Sequence, residues 1–138
     1  MASIFDDMND RDQLPAPMVG HDEMTLDEYQ AEATELAFYS TSIVYPTLGL
    51  AGEAGEVAEK IKKLMRDNDI DFNADNAAEQ IGWMEKRNIA LEVGDIIWYC
   101  ANLLNDIDYS FEEAAMLNLE KLKDRRDRGV MSGSGDHR

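Results

Sequence analysis

Cysteine is almost absent: Cys100 stands alone among 138 residues. No disulfide can form within the chain, and the fold needs no oxidising compartment. Positive charge is also scarce, with 13 basic against 29 acidic residues and a net charge of -16. That balance excludes general nucleic-acid binding, because a phosphate backbone would be repelled. No apolar run approaches the length of a membrane span, and the start, MASIFDDMNDRD, lacks the basic-then-apolar order of a secretion signal. A cytoplasmic protein is the simplest expectation. Histidine occurs twice, and His21, in a polar segment, reads as a surface residue. What the chain does have is 44% hydrophobic residues, enough for one domain with a core.

Residues 1–24 carry aspartates, Pro15, Pro17 and Gly20 without helical period, and read as an arm, disordered or lying on a partner subunit. Thr25-Leu-Asp-Glu28 has the form of a capping box and predicts a first helix running to about Tyr39. Tyr45-Pro46-Thr47 breaks it from a second, Leu48 to Met65 or Arg66, in which Leu50, Ala54, Val57, Ile61 and Leu64 make one apolar seam. The following DNDIDFNADNAAE offers neither the glycine nor the final glutamate of a calcium loop in either frame, so a solvated connector is expected. A third helix should begin between Asn76 and Glu79 and end near Leu104. Its seam is Ile89, Val93, Ile96, Cys100, Leu103 and Leu104, with Leu91 and Trp98 on a second apolar face. Ser110-Phe-Glu-Glu113 is a second capping box, opening a fourth helix to about Arg128. There Phe111, Ala114, Ala115, Leu117, Leu119 and Leu122 are available for packing. Residues 129–138 form a glycine- and serine-rich tail. Four helices over residues 25–128, with no convincing strand, predict an all-α antiparallel four-helix bundle.

Two acidic pairs carry the chemistry. On the second helix Glu53 lies about 60° from the seam centre and Glu56 about 120°, whereas Glu59 points away. On the third, Glu92 and Asp95 repeat the spacing. Residues three apart share a helix face, so four carboxylates can converge if the two helices pack together. Like charges that close destabilise one another unless they take up protons or bind cations. Carboxylate oxygens suit Mg²⁺, or Mn²⁺ as a substitute, whereas zinc would call for histidine or thiolate. No Glu-x-x-His motif is present for a di-iron bundle. Gly52, Gly55 and Gly94 flank the acids although each glycine costs a helix about 1 kcal/mol, which implies close approach of a helix or ligand. A single such pair in so acidic a chain reads as a solvated face; two pairs, each beside glycine and an apolar seam, favour a metal site.

Basic residues gather on the fourth helix: Lys121, Lys123, Arg125, Arg126 and Arg128. Lys121 and Arg125, four apart, can face phosphates, or the group complements the helix dipole. Tyr99 and Asn102 continue the stripe of Glu92 and Asp95 and suit ribose contacts or packing equally.

Glu53-x-x-Glu56 in LGLAGEAGEVAEKIKK, followed by Glu92-x-x-Asp95 in ALEVGDIIWYCANLL, resembles the MazG-like branch of the all-α nucleoside triphosphate pyrophosphohydrolases. The resemblance runs from about Met24 to Arg126, including LDEYQ and Asn118-x-x-Lys121-x-x-x-Arg125; the insert between the acidic pairs is longer than in compact members. It implies a homodimer or homotetramer that hydrolyses a nucleoside triphosphate between its α and β phosphates. Glu53, Glu56, Glu92 and Asp95 would hold Mg²⁺ and supply catalysis, and Asn118, Lys121 and Arg125 would contact substrate. Two other readings stand beside this one: a phosphoribosyl-ATP pyrophosphohydrolase, and a non-catalytic helical module whose acidic face binds a basic partner.

Overall fold

Both capping boxes close as the sequence predicts. In the computed structural model, which describes residues 23–132, the Glu28 N–H donates to Thr25 Oγ1 (3.1 Å) and the Thr25 N–H to Glu28 Oε2 (2.7 Å). Ser110 and Glu113 repeat the exchange at 3.1 and 3.0 Å. Each box satisfies two amides that a helix start would otherwise leave open. The helices are α1 (Leu26–Glu35), α2 (Val44–Asp67), α3 (Trp83–Asp106) and α4 (Phe111–Asp127), with a 3-10 turn at Ala77–Gln80. Among the described residues there is no strand, and no helix is long and apolar enough to cross a membrane. The expected arm, with His21, and most of the tail lie outside the described residues.

Three boundaries differ from expectation. α1 stops at Glu35, and Phe38 and Tyr39 turn sideways into an aromatic cluster: Phe38 stacks on Trp98 and Tyr39 on Tyr45, with centroids 5.9 and 4.9 Å apart. α2 starts four residues early, at Val44, with Pro46 inside its first turn and almost fully buried. Proline is tolerated there because amides of the first turn have no intrahelical acceptor. α3 starts late, at Trp83, because the preceding residues take the 3-10 turn instead. Backbone in the left-handed region ends the last three helices, at Asp69 (φ 52°), Asp108 (φ 60°) and Gly129 (φ 71°). At Gly129 the Gly129 and Val130 amides return to the Arg126 and Arg125 carbonyls, closing α4.

α2 and α3 form the principal antiparallel pair; α1 packs on α3 and α4, and α4 touches α3 only lightly. Leu64 of the α2 seam is buried, and Leu50, Val57 and Ile61 are half-buried, while Ala54 is exposed. The expected packing of Leu117, Leu119 and Leu122 does not occur within one chain; all three stay exposed on α4. Leu91, on the second face of α3, is exposed as well, whereas Trp98 on that face meets the aromatic cluster.

Two devices set the arrangement. Buried Gln30 donates from Nε2 to the Ala101 and Tyr109 carbonyls (3.2 and 3.0 Å) and accepts at Oε1 from the Phe111 amide (2.9 Å). One side chain thus ties α1 to the end of α3 and the start of α4. The Tyr99 ring lies directly on Gly49, where any Cβ would collide with it. This is the close approach that the sequence assigned to Gly52, Gly55 and Gly94; at those three a Cβ would meet nothing within 4 Å.

Gln30→Leu is expected to lower unfolding free energy by about 2–4 kcal/mol, since it strands three backbone partners, readable by urea denaturation. Gly49→Ala should destabilise by about 1–3 kcal/mol through overpacking. Gly52→Ala should instead stabilise by up to about 1 kcal/mol through helix propensity. Equal effects from the two glycine variants would contradict the register.

Candidate metal centre

The seam of α2 faces α3, so residues on its flank stand beside the matching flank of the partner. With Tyr99 seated over Gly49, the next turn of α2 sets Glu53 opposite Asp95 and Glu92. One carboxylate oxygen from each of Glu53, Glu92 and Asp95 lies within 4.8 Å of the others. Glu53 and Glu92 are half-buried and Asp95 is exposed. Glu56, one turn further along α2, is exposed and stands outside this triangle, although its charge is felt at Glu53.

Partial burial, the Asp95 charge and a hydrogen bond with Glu92 hold Glu53 above the usual carboxylate range, with smaller pushes from the charges of Glu92 and Glu56. Lys60, one turn beyond Glu56, places its Nζ 2.9 Å from Glu92 Oε1. That hydrogen bond raises the lysine above its ordinary value. The Lys60 ammonium therefore offsets part of the cluster's negative charge. The donor set is all oxygen, from two helices, and open to water at Asp95. It fits a hard divalent cation, whose two positive charges would offset most of the charge of three carboxylates.

Beside the carboxylates opens a cleft of about 410 Å³ lined by Leu36, Phe38, Glu53, Asp95, Trp98 and Tyr99. Burial pushes the Tyr99 hydroxyl up, with smaller contributions from Tyr45 and from the Glu53 and Asp95 charges. Tyr99 thus lines the cleft beside the carboxylates while its ring packs on Gly49. Asn102 does not: it is buried and donates from Nδ2 to the Trp98 carbonyl (2.9 Å). Asn118 and Lys121 line a different cleft, with Leu104, Ile107 and Tyr109, and Arg125 is buried near the end of α4. Within one chain these three do not join the carboxylates. Sequence reasoning passed over Lys60, although its spacing from Glu56 places it on the same stripe, and Phe38, which follows the end of α1; Leu36, expected on the buried face of the first helix, instead lines this cleft.

A family model for the MazG nucleotide pyrophosphohydrolase domain matches residues 46–130, which include all four acidic residues of the two pairs. The Gene 37 protein of Mycobacterium phage L5 is 38% identical over 123 residues, covering 83% of this chain and 100% of that protein. No solved structure matches significantly.

Glu53 titrates higher folded than unfolded, so between those two values the native chain holds the extra proton and stability falls as pH rises. Glu53→Gln is accordingly expected to raise the Tm at pH 7 in EDTA, with the gain vanishing below the ordinary carboxylate range. Added Mg²⁺ should lift the wild-type Tm more than the variant's. Thermal melts across pH 3–8 read both, and a variant less stable than wild type at pH 7 would contradict the electrostatics.

Proposed function

The chain belongs to the MazG nucleotide pyrophosphohydrolase family, and from that premise we propose that it hydrolyses nucleoside triphosphates, Mg²⁺-dependently, between the α and β phosphates. The products are a nucleoside monophosphate and pyrophosphate. The supporting observation is the convergence of Glu53, Glu92 and Asp95 from two helices onto one point.

In this reading Glu53, Glu92 and Asp95 hold the cation, and Glu56 joins from the adjoining turn. When bound, Mg²⁺ offsets phosphate charge and lowers the pKa of the attacking water. The water oxygen bonds to the α phosphorus, the bond from that phosphorus to the bridging oxygen breaks, and pyrophosphate departs. A carboxylate of the cluster accepts the water's proton. Tyr99, in the wall of the neighbouring cleft, contacts the nucleoside portion. Asn102 is buried, with its side-chain amide donating to the Trp98 carbonyl one turn back.

The same reading includes a homodimer or homotetramer. Leu48, Met116, Leu117 and Leu119 are all more than half exposed on long helices, an apolar area that association would cover. Asn118 and Lys121 then act on substrate held by a second copy, and Arg125 is buried near the end of α4 in its own chain.

Purified protein should release pyrophosphate from at least one NTP or dNTP, and EDTA should abolish the release. Glu53→Gln and Asp95→Asn should each lower kcat by about 100-fold or more with unchanged helical circular dichroism. Undiminished turnover in either variant would contradict the site; no metal-dependent product from any nucleotide would contradict the function.

A further inference from the structure

On the side of the carboxylates away from the aromatic cleft, a second cavity of about 210 Å³ lies between α2 and α3. Its polar lining is Lys60, Lys63, Asn68, Glu85 and Asn88, over Leu64 and Ile89. The register explains its position. Glu53, Glu56, Lys60 and Lys63 occupy successive turns on one stripe of α2; Asp95, Glu92, Asn88 and Glu85 do so, in reverse, on α3. Along a single groove the α2 side changes from carboxylate to ammonium, over about 6–10 Å of helix between Glu53 or Glu56 and Lys60.

We propose that this lysine-lined cavity binds the terminal phosphates of the substrate and the departing pyrophosphate, a subsite that rests on the pyrophosphohydrolase reading above. Lys60 joins the two regions, since its Nζ is held by Glu92, one of the three converging carboxylates. A cation held by Glu92 would compete with that ammonium for the same oxygens and would leave the lysine to the nearest other anion. Terminal phosphate oxygens entering the cavity supply it. Lys63 is held by Glu59 at 3.5 Å, with both side chains about half exposed, a weak pairing that a phosphate can replace. Asn68 and Asn88 add amide donors. Glu85 opposes an anion, but its carboxylate folds back against Gly82 at the start of α3, where the helix dipole favours it. Elsewhere, Arg66, Arg126 and Arg128 pair with neighbouring aspartates on their own helices. The two lysines are the cations that the α2–α3 pairing brings to the groove.

The test is calorimetric titration of the full chain with inorganic pyrophosphate in Mg²⁺, alongside steady-state kinetics and Mn²⁺ binding by electron paramagnetic resonance. Lys60→Gln and Lys63→Gln should each weaken pyrophosphate affinity and raise KM for the triphosphate by about tenfold. Inhibition by nucleoside monophosphate should be unchanged. Mn²⁺ affinity should be kept or improved in Lys60→Gln, and Lys60→Arg should recover part of the pyrophosphate affinity. Unchanged pyrophosphate affinity in both variants overturns the subsite, as does an equal loss of monophosphate affinity, which marks a general field effect. Pyrophosphate binding is read without turnover, so the two ideas separate. Wild-type hydrolysis unaffected by either variant removes the subsite and keeps the function. Lysine-dependent pyrophosphate binding without hydrolysis of any nucleotide does the reverse.

Discussion

The seat of Tyr99 on Gly49 fixes how α2 and α3 lie against one another, and most of the molecule follows from it. An aromatic ring on bare backbone admits one longitudinal position, because a shift of one residue in either direction meets a side chain. From that contact each turn of α2 finds a definite partner on α3: Glu53 with Asp95 and Glu92, then Lys60 with Glu92, then Leu64 beside Ile89 and Asn88. The second constraint acts at the far end of α3, where the Gln30 amide satisfies three backbone groups from α3, the following loop and α4. α1 is short, with only Gln30 and Ala33 fully buried, so a buried side-chain amide does what apolar area alone would not. Asp106 adds a tie of the same kind, accepting from the Ile43 amide and the Tyr39 hydroxyl. It helps hold Ile43 at a positive φ that a β-branched residue seldom adopts.

The same register that organises the pair also loads it electrostatically. Three carboxylates meet between two helices in a chain already at -16. The Lys60 ammonium offsets part of the repulsion, and partial burial with the neighbouring charges raises the proton affinity of Glu53. What remains is a cluster of carboxylate oxygens close enough together to hold a metal ion. This is the usual relation between a binding site and the stability of its scaffold: groups arranged for a ligand are poorly arranged without it. The groove that results has aromatic rings at one end, carboxylates in the middle and ammonium groups at the other. In the proposed reading that ordering matches the nucleoside, the metal-binding phosphates and the terminal phosphates of the substrate.

The distribution of apolar surface points in the same direction as the light packing of α4. Few of the described residues are fully buried in one chain, and the long helices carry leucines and methionines into solvent. A helix with apolar residues on two faces satisfies one of them within the chain and presents the other. On α3 the aromatic cluster covers part of the second face at Trp98, and Leu91 is left outside.

Both capping boxes, the four helices and the two acidic pairs were legible in the sequence, because each is a local pattern: a hydroxyl and a carboxylate three apart, or an apolar period of 3.6. Helix ends were less so, since Phe38 and Tyr39 leave the helix for ring contacts with residues far along the chain. The crowded glycine was also hidden. Gly49, Gly52, Gly55 and Gly94 look alike in sequence, and only the position of the Tyr99 ring distinguishes the first. By itself the sequence determined which residues share a helical face, and hence that Glu53 and Glu56, or Glu92 and Asp95, can act together, because helix geometry is set by the backbone alone. Tertiary structure decided which faces meet. It brought Glu53, Glu92 and Asp95 to one point with Lys60 against them, and left Asn118, Lys121 and Arg125 apart, because contacts between helices depend on ring and glycine shapes that no single-helix period contains.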